Sequence, residues 1–273
     1  MTVAQPIDPR TRVGNAILDS IGIKDRLGGT HAARTMMFTE LYALVRYCGS
    51  TPKPREAYRL AVIDHNCLAK RSAKSRSLTF RHLVDLYGLE DTQLVFVSLL
   101  HFWQRDPESG PMLALCAALA RDGWLARLAD RIFRLEVGAE VSRMAIEEQI
   151  EQLAPERLSD ATRKSLAQNI NSTFTQSGHL KGRSRKHRTR AKATPTTAAY
   201  ALLISYASGA RGPALFETVY TKSLDCSREE AMAMAEAASR RGLMRFNRVG
   251  DVMEVAFPDI ISRADLERIR EQN

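Results

Sequence analysis

The chain has 273 residues, of which 44% are hydrophobic, 7% aromatic and 26% charged, and its formal net charge is +9. These are the proportions of a soluble globular protein, and the strongest apolar run, Leu94–Trp103, is too short to cross a bilayer and reads as a buried helix. The low aromatic content is thin for a platform that stacks single-stranded bases, so a basic partner-binding surface here points first to duplex DNA.

The N-terminus (MTVAQPIDPRTR) has no apolar signal-peptide core, and Cys48, Cys67, Cys116 and Cys226 are scattered without a CxxC pair. The expectation is a cytoplasmic protein with reduced thiols, no zinc site and no disulfide framework.

Residues 1–12, with Pro6 and Pro9, read as a loose arm. From Val13 to about Leu135 the pattern is helical, which predicts an all-helical bundle over residues 1–138. Met36–Arg46 gathers Met37, Leu41, Leu44 and Val45 on one face. Gly49–Pro54 then breaks the chain. Further helices are expected at Arg55–Leu68, Leu78–Tyr87, Thr92–Gln104 and Pro111–Ala120, with one more amphipathic segment around Trp124, Leu128 and Phe133.

The character changes after Gly138. Ser142–Leu153 predicts a capped helix, Ala154–Leu158 a turn, and Ser159-Asp160 a second cap that opens a helix over Ala161–Gln176. Gly178 is a stop signal. A cationic stretch follows in which Gly182 marks a bend and Pro195 an end. Helix, turn, helix and basic hairpin predict a winged helix over residues 139–195.

Residues 196–273 repeat that outline. Thr197–Ser208 and Leu215–Leu224 read as helices, Ser227–Arg241 as a capped alanine-rich helix, and Leu243–Asn247 with Val252–Phe257 as a hairpin. The third helix carries Glu229, Glu230 and Glu236, so this module reads as structural or partner-binding before DNA-reading.

The cationic stretch is Lys181–Lys192 (KGRSRKHRTRAK). It holds Lys181, Arg183, Arg185, Lys186, Arg188, Arg190 and Lys192 and no carboxylate, and without these seven cations the net charge would be +2. Such a block repels itself unless a polyanion neutralises it, and nucleic acid is the usual polyanion. The competing reading is a flexible basic loop with no specific role.

On the preceding helix, Leu166, Ala167, Ile170 and Phe174 form the core stripe. The opposite side carries Lys164, Gln168, Asn171, Ser172 and Thr175, none acidic, with Arg163 and Lys164 in the first turn. Lys, Gln and Asn are residues that pair with base edges and phosphates, and the first turn is where a recognition helix enters the groove. The alternative is an ordinary polar surface helix.

A second basic patch, Lys70, Arg71, Lys74, Arg76 and Arg81, joins two helical segments. It is either a further phosphate track or a solvated interhelical loop.

Catalytic motifs do not emerge. Asp64-His65-Asn66 point in different directions on a helix, Gly28-Gly29-Thr30 is too short for a phosphate loop, and no GxxxxGK[ST], GxGxxG, GxSxG or HExxH motif occurs. No cofactor or metal is expected.

Several pieces, in this order, resemble the BrxA family, a small component of BREX bacteriophage-exclusion systems. They are His65–Ser72 (HNCLAKRS), Phe80-Arg81 followed by Leu86-Tyr87, Ala161–Lys164 (ATRK), Gln176–Gly182 (QSGHLKG) and Arg248–Pro258 (RVGDVMEVAFP). The resemblance extends from about residue 35 to residue 262. It implies a non-enzymatic helical protein with a winged-helix element that binds double-stranded DNA and works beside other proteins of a phage-defence locus. It also implies that Lys70, Arg71 and the Arg163–Lys192 region face DNA. Two other functions stay open on the residues alone. One is an RNA-binding, antitermination-like helical protein. The other is an assembly adaptor whose basic block meets an acidic protein partner.

Overall fold

The computed structural model describes residues 16–250, 252–261 and 267. The expected arm at residues 1–12 lies outside them. The described chain is mainly helical, with two small antiparallel sheets.

After a helical stretch at residues 16–21, helix α1 (Phe38–Cys48) buries Leu41, Leu44 and Val45, as the apolar spacing predicts. Helix α2 (Arg55–Arg59) runs into a widened π turn, Leu60–Asp64, where the His65 amide reaches back to the Leu60 carbonyl at 3.0 Å. The helix expected to reach Leu68 stops here. Asn66 and Ala69 take positive φ, and the Asn66 side chain accepts from the Lys70 amide (2.8 Å) and donates to its carbonyl (3.1 Å). A side-chain amide that mimics the backbone outcompetes the helix.

Helix α3 (Ala73–Tyr87) starts well before the expected Leu78, because the Ser72 hydroxyl accepts from the Ser75 amide at 3.1 Å. Lys74 and Arg76 are therefore helical rather than part of a loop. Helices α4 (Leu94–Arg105), α5 (Gly110–Arg121) and α6 (Gly123–Phe133) follow. Helix α5 is buried along almost its whole length and forms the centre of this half.

The next unit is strand β1 (Glu140–Val141), helices α7 (Arg143–Leu153) and α8 (Asp160–Gln176), and strands β2 (Leu180–Lys181) and β3 (Lys186–Arg188). The strands pair antiparallel in the order β1-β3-β2, with Glu140 opposite His187 and Leu180 opposite Arg188. The β2–β3 bend depends on Gly182. Its φ is +107°, and a Cβ there would lie 2.1 Å from the Arg185 carbonyl oxygen.

Helix α9 (Pro195–Ala207) is opened by reciprocal bonds between Thr194 and Thr197 and is almost wholly buried. Its Tyr200 hydroxyl donates to the Val95 carbonyl at 2.8 Å. The expected helix Leu215–Leu224 is instead a 3₁₀ turn, Gly212–Phe216, followed by the short helix α10 (Val219–Lys222). Thr218 is the reason. Its hydroxyl caps the Thr221 amide and starts a new helix in the middle of the segment. Helix α11 (Arg228–Arg240) has the Ser227/Glu230 capping box, and β4 (Arg245–Val249) pairs with β5 (Val252–Ala256).

Buried apolar side chains run without a break from Ile21 to Ile261. The described parts of the segments 1–138, 139–195 and 196–273 therefore share one core. Each fully buried Leu, Ile or Phe contributes about 1.5–3 kcal/mol, and α9 is the helix that ties the last segment into that core.

Candidate nucleic-acid interface

Two elements present cations beside each other in the chain: α8 and the β2–β3 hairpin. On α8 the exposed residues are Asp160, Ala161, Lys164, Ser165 and Gln168, with Ser172 and Thr175 half-buried further along. The first turn is not a bare cationic end, because Arg163 pairs with both Asp160 and Glu151. Asp160 also sits at the positive end of the helix dipole, where a carboxylate is favoured.

Asn171 is not a surface residue. It is 6% exposed, and its Oδ1 has no partner among the described residues. The expectation that it faces a ligand is corrected by what packs over the C-terminal half of α8. Residues 30–38 lie across it. Asn169 Nδ2 donates to the His31 carbonyl at 2.9 Å, and Thr173 Oγ1 accepts from the Met36 amide at 2.9 Å. Gln176 donates to Thr35 Oγ1 at 3.2 Å and accepts from the Phe38 amide at 3.4 Å. The polar side of α8 is thus divided. Its N-terminal half meets solvent, and its C-terminal half is an internal docking face.

The cationic block divides in the same way. Lys181, Arg183 and Arg185 are exposed and make no ion pair among the described residues. Lys186 is half-buried and donates from Nζ to the Gly182 carbonyl at 2.6 Å, which steadies the bend. Lys192 is exposed beside a small cavity that Asp106 and Glu108 also line. Arg190 is exposed and paired with Glu230.

Arg188 is the exception and a second correction. It is 2% exposed, forms a two-pronged ion pair with Asp225, and donates from Nε to the Ile132 carbonyl at 2.9 Å. A guanidinium so enclosed cannot reach a phosphate. Strand β3 sets Lys186 and Arg188 on one face, but of the two only Arg188 is buried, and Lys186 folds back onto the bend.

In the second patch, Lys70 pairs with Glu40 at 2.9 Å. Arg71 and Lys74 are exposed, and Arg76 is half-buried with an unpartnered Nε. The His82 pKa is lowered by burial and then by the nearby charges of Arg34 and Arg81. Arg34 was not foreseen. It lies on the segment that packs on α8, so it carries positive charge from that segment to the flank of α3. No spacing rule finds it, since Arg34 and Arg81 come to act on the same His82 only through the fold.

A buried triad was also not legible. His31 Nδ1 lies 2.8 Å from Asp122 Oδ2, and His31 Nε2 lies 2.9 Å from Thr173 Oγ1. This is the order of groups in a hydroxyl nucleophile site. Yet His31 and Thr173 are 0% exposed and Asp122 is 1% exposed, so no substrate atom can reach the hydroxyl. Burial opposes ionisation of Asp122, but the charge of His31 and its hydrogen bonds, with the Leu125 amide, outweigh it and lower the pKa. The triad locks α8 to the loop before α1. Asp64, His65 and Asn66 each find a separate partner: Arg59, Tyr47 and Lys70.

No protein-family model matches this chain, and no curated protein matches it either.

Proposed function

We propose that the chain is a non-catalytic duplex-DNA-binding protein. In this reading α6, β1, α7, α8 and the β2–β3 hairpin form a winged helix whose wing is the bend Lys181–Arg185. The observation that carries it is the order of the small sheet. The first strand lies between α6 and α7, pairs with the last strand of the unit, and leaves the hairpin after α8 to project a carboxylate-free bend. That is the succession of elements in winged helix-turn-helix DNA readers.

Lys164 and Gln168 then approach the groove from α8. Lys181, Arg183 and Arg185 hold phosphates, which sets affinity and register without reading sequence. Arg34, Arg71, Lys74 and Arg81 would lengthen the phosphate track over the helical half. The BrxA-like pieces between residues 35 and 262 support a place in a BREX-type phage-defence system, beside the other proteins of such a locus.

The test is competition binding of labelled duplex DNA, single-stranded DNA and structured RNA at two salt concentrations. A duplex preference with a steep salt slope is expected. A preference for structured RNA would favour an RNA-binding protein. No affinity for any of the three would favour an adaptor that meets an acidic protein.

A further inference from the structure

The segment Lys24–Thr30 roofs a recess of about 270 Å³ that lies outside the surface assigned to DNA. Three cations line it, Lys24, Arg26 and Arg121, against the single carboxylate of Asp85. Arg121 is 7% exposed, and every hydrogen bond it makes goes to a neutral acceptor: the carbonyls of Gly22, Val84 and Asp85 and the side chain of Gln93. Lys24 approaches Asp85 only to 3.9 Å. Arg26 has no ion-pair partner among the described residues. Within the lining the cations therefore outnumber carboxylates by two, while Asp19 acts on Lys24 and Arg121 from outside it and the His31-paired Asp122 lies under Gly29. Burial and then the charge of Arg121 lower the Lys24 pKa, the response of a cation held without enough counter-charge.

The recess also offers neutral donors. Thr30 lines it, is 5% exposed, and its hydroxyl has no hydrogen-bond partner among the described residues. A buried unpartnered hydroxyl is costly unless something binds it. The carbonyls of Leu27 and Gly28 are occupied by Arg157 and the Trp124 amide, while the amides of Gly28, Gly29 and Thr30 have no acceptor among the described residues. Gly29 is required here. Its φ is +140°, and a Cβ would lie 2.2 Å from the Asp122 carboxylate. Glycine backbone amides next to cations form the usual cradle for a tetrahedral oxyanion.

We propose that this recess binds a small phosphate-class oxyanion, a phosphate or diphosphate group, through Lys24, Arg26, Arg121 and the Thr30 hydroxyl. The lining's surplus of about two charges matches a dianion, whereas each phosphodiester of a duplex carries one. The volume lies just under the ~300 Å³ at which pockets for larger ligands begin. Arg121 and Thr30 are too deeply set to meet the backbone of a rigid rod.

The experiment is calorimetric titration of the full chain with inorganic phosphate and with pyrophosphate, at ionic strength held constant with chloride. Saturable binding of either anion is expected, with a rise in thermal midpoint that chloride does not produce. Lys24→Gln with Arg26→Gln should weaken binding at least tenfold and leave duplex affinity unchanged. Thr30→Val, which keeps the shape of the side chain, should weaken it several-fold and serves if the double variant does not fold. Arg183→Ala with Arg185→Ala should bind the anion like the parent, so failure of the DNA reading leaves this result standing. Heat no different from chloride, or equal anion binding by the Lys24/Arg26 and Thr30 variants, overturns the proposal. So does loss of duplex affinity in the Lys24/Arg26 variant without any binding of the free anions, which would make the recess part of the DNA surface.

Discussion

Arg188 Nη1 lies 2.8 Å from Asp225 Oδ2, and Nη2 pairs with the other carboxylate oxygen, deep between the small sheet and the C-terminal segment. The same carboxylate accepts from the Ala191 amide at 2.7 Å. One arginine of a block that looks uniformly solvated is thus a clamp between two parts of the fold. Removing one partner of a buried pair leaves the other charge unpaired, at about 3–5 kcal/mol. Arg188→Ala should lose that much unfolding free energy in urea, whereas Arg183→Ala, exposed and unpaired, should stay within about 0.5 kcal/mol of the parent. Equal stability of the two variants would refute the clamp.

The His31–Asp122–Thr173 chain makes a second prediction. Thr173→Val keeps the shape but leaves His31 Nε2 and the Met36 amide without their partner. The expected cost is about 1–3 kcal/mol in chemical denaturation. Because the residue is sealed from solvent, duplex affinity of the folded fraction should not change. A stability equal to the parent's would mean that the network does not hold α8 in place.

Acid should destabilise the protein through His179. Its ring packs against Phe133 and Phe174 and bonds to Ser177 Oγ and the Ser223 carbonyl, and burial brings its pKa down from 6.5 to about 4. The unfolded chain therefore binds a proton below pH 6.5 that the folded chain refuses until about pH 4. Stability is full above pH 6.5 and falls across that window, by on the order of 3 kcal/mol. His179→Gln should be less stable at neutral pH yet show a flatter decline between pH 6.5 and 4. A parallel decline in both proteins would contradict this.

The helical class, most element boundaries and both hairpins were legible in the sequence, because capping residues and glycines act locally. Ser159 and Ser227 each start a helix through their own hydroxyl, as the sequence predicts; Ser72 and Thr194 do so a few residues ahead of the expected starts, and the expected cap Ser142 makes no such bond. Errors came where one residue tipped a local competition, as Asn66 did in ending α2 and Thr218 in splitting the segment after α9. The charge census found the basic block but could not divide it. Whether Arg183 or Arg188 faces water is decided by Asp225, and Asn171 was lost to the surface by the approach of residues 30–38. These are contacts between distant stretches of chain, which leave no periodicity to read.

Gly182→Ala tests the hairpin bend. The substitution forces a left-handed backbone onto an L residue and places a methyl against the Arg185 carbonyl. The local cost is at least about 1 kcal/mol. Duplex affinity should fall several-fold, with the calorimetric unfolding of the core nearly unchanged. Unaltered affinity would mean that the geometry of the bend does not matter for binding.

The most direct measurement is the salt dependence of duplex binding by the parent and by a variant with Lys181, Arg183 and Arg185 changed to Ala. Each lost phosphate contact lowers the slope of log K against log salt by about one. A wing on the backbone predicts a slope shallower by about three and weaker binding to all sequences alike. An identical slope and affinity in parent and variant would contradict the account.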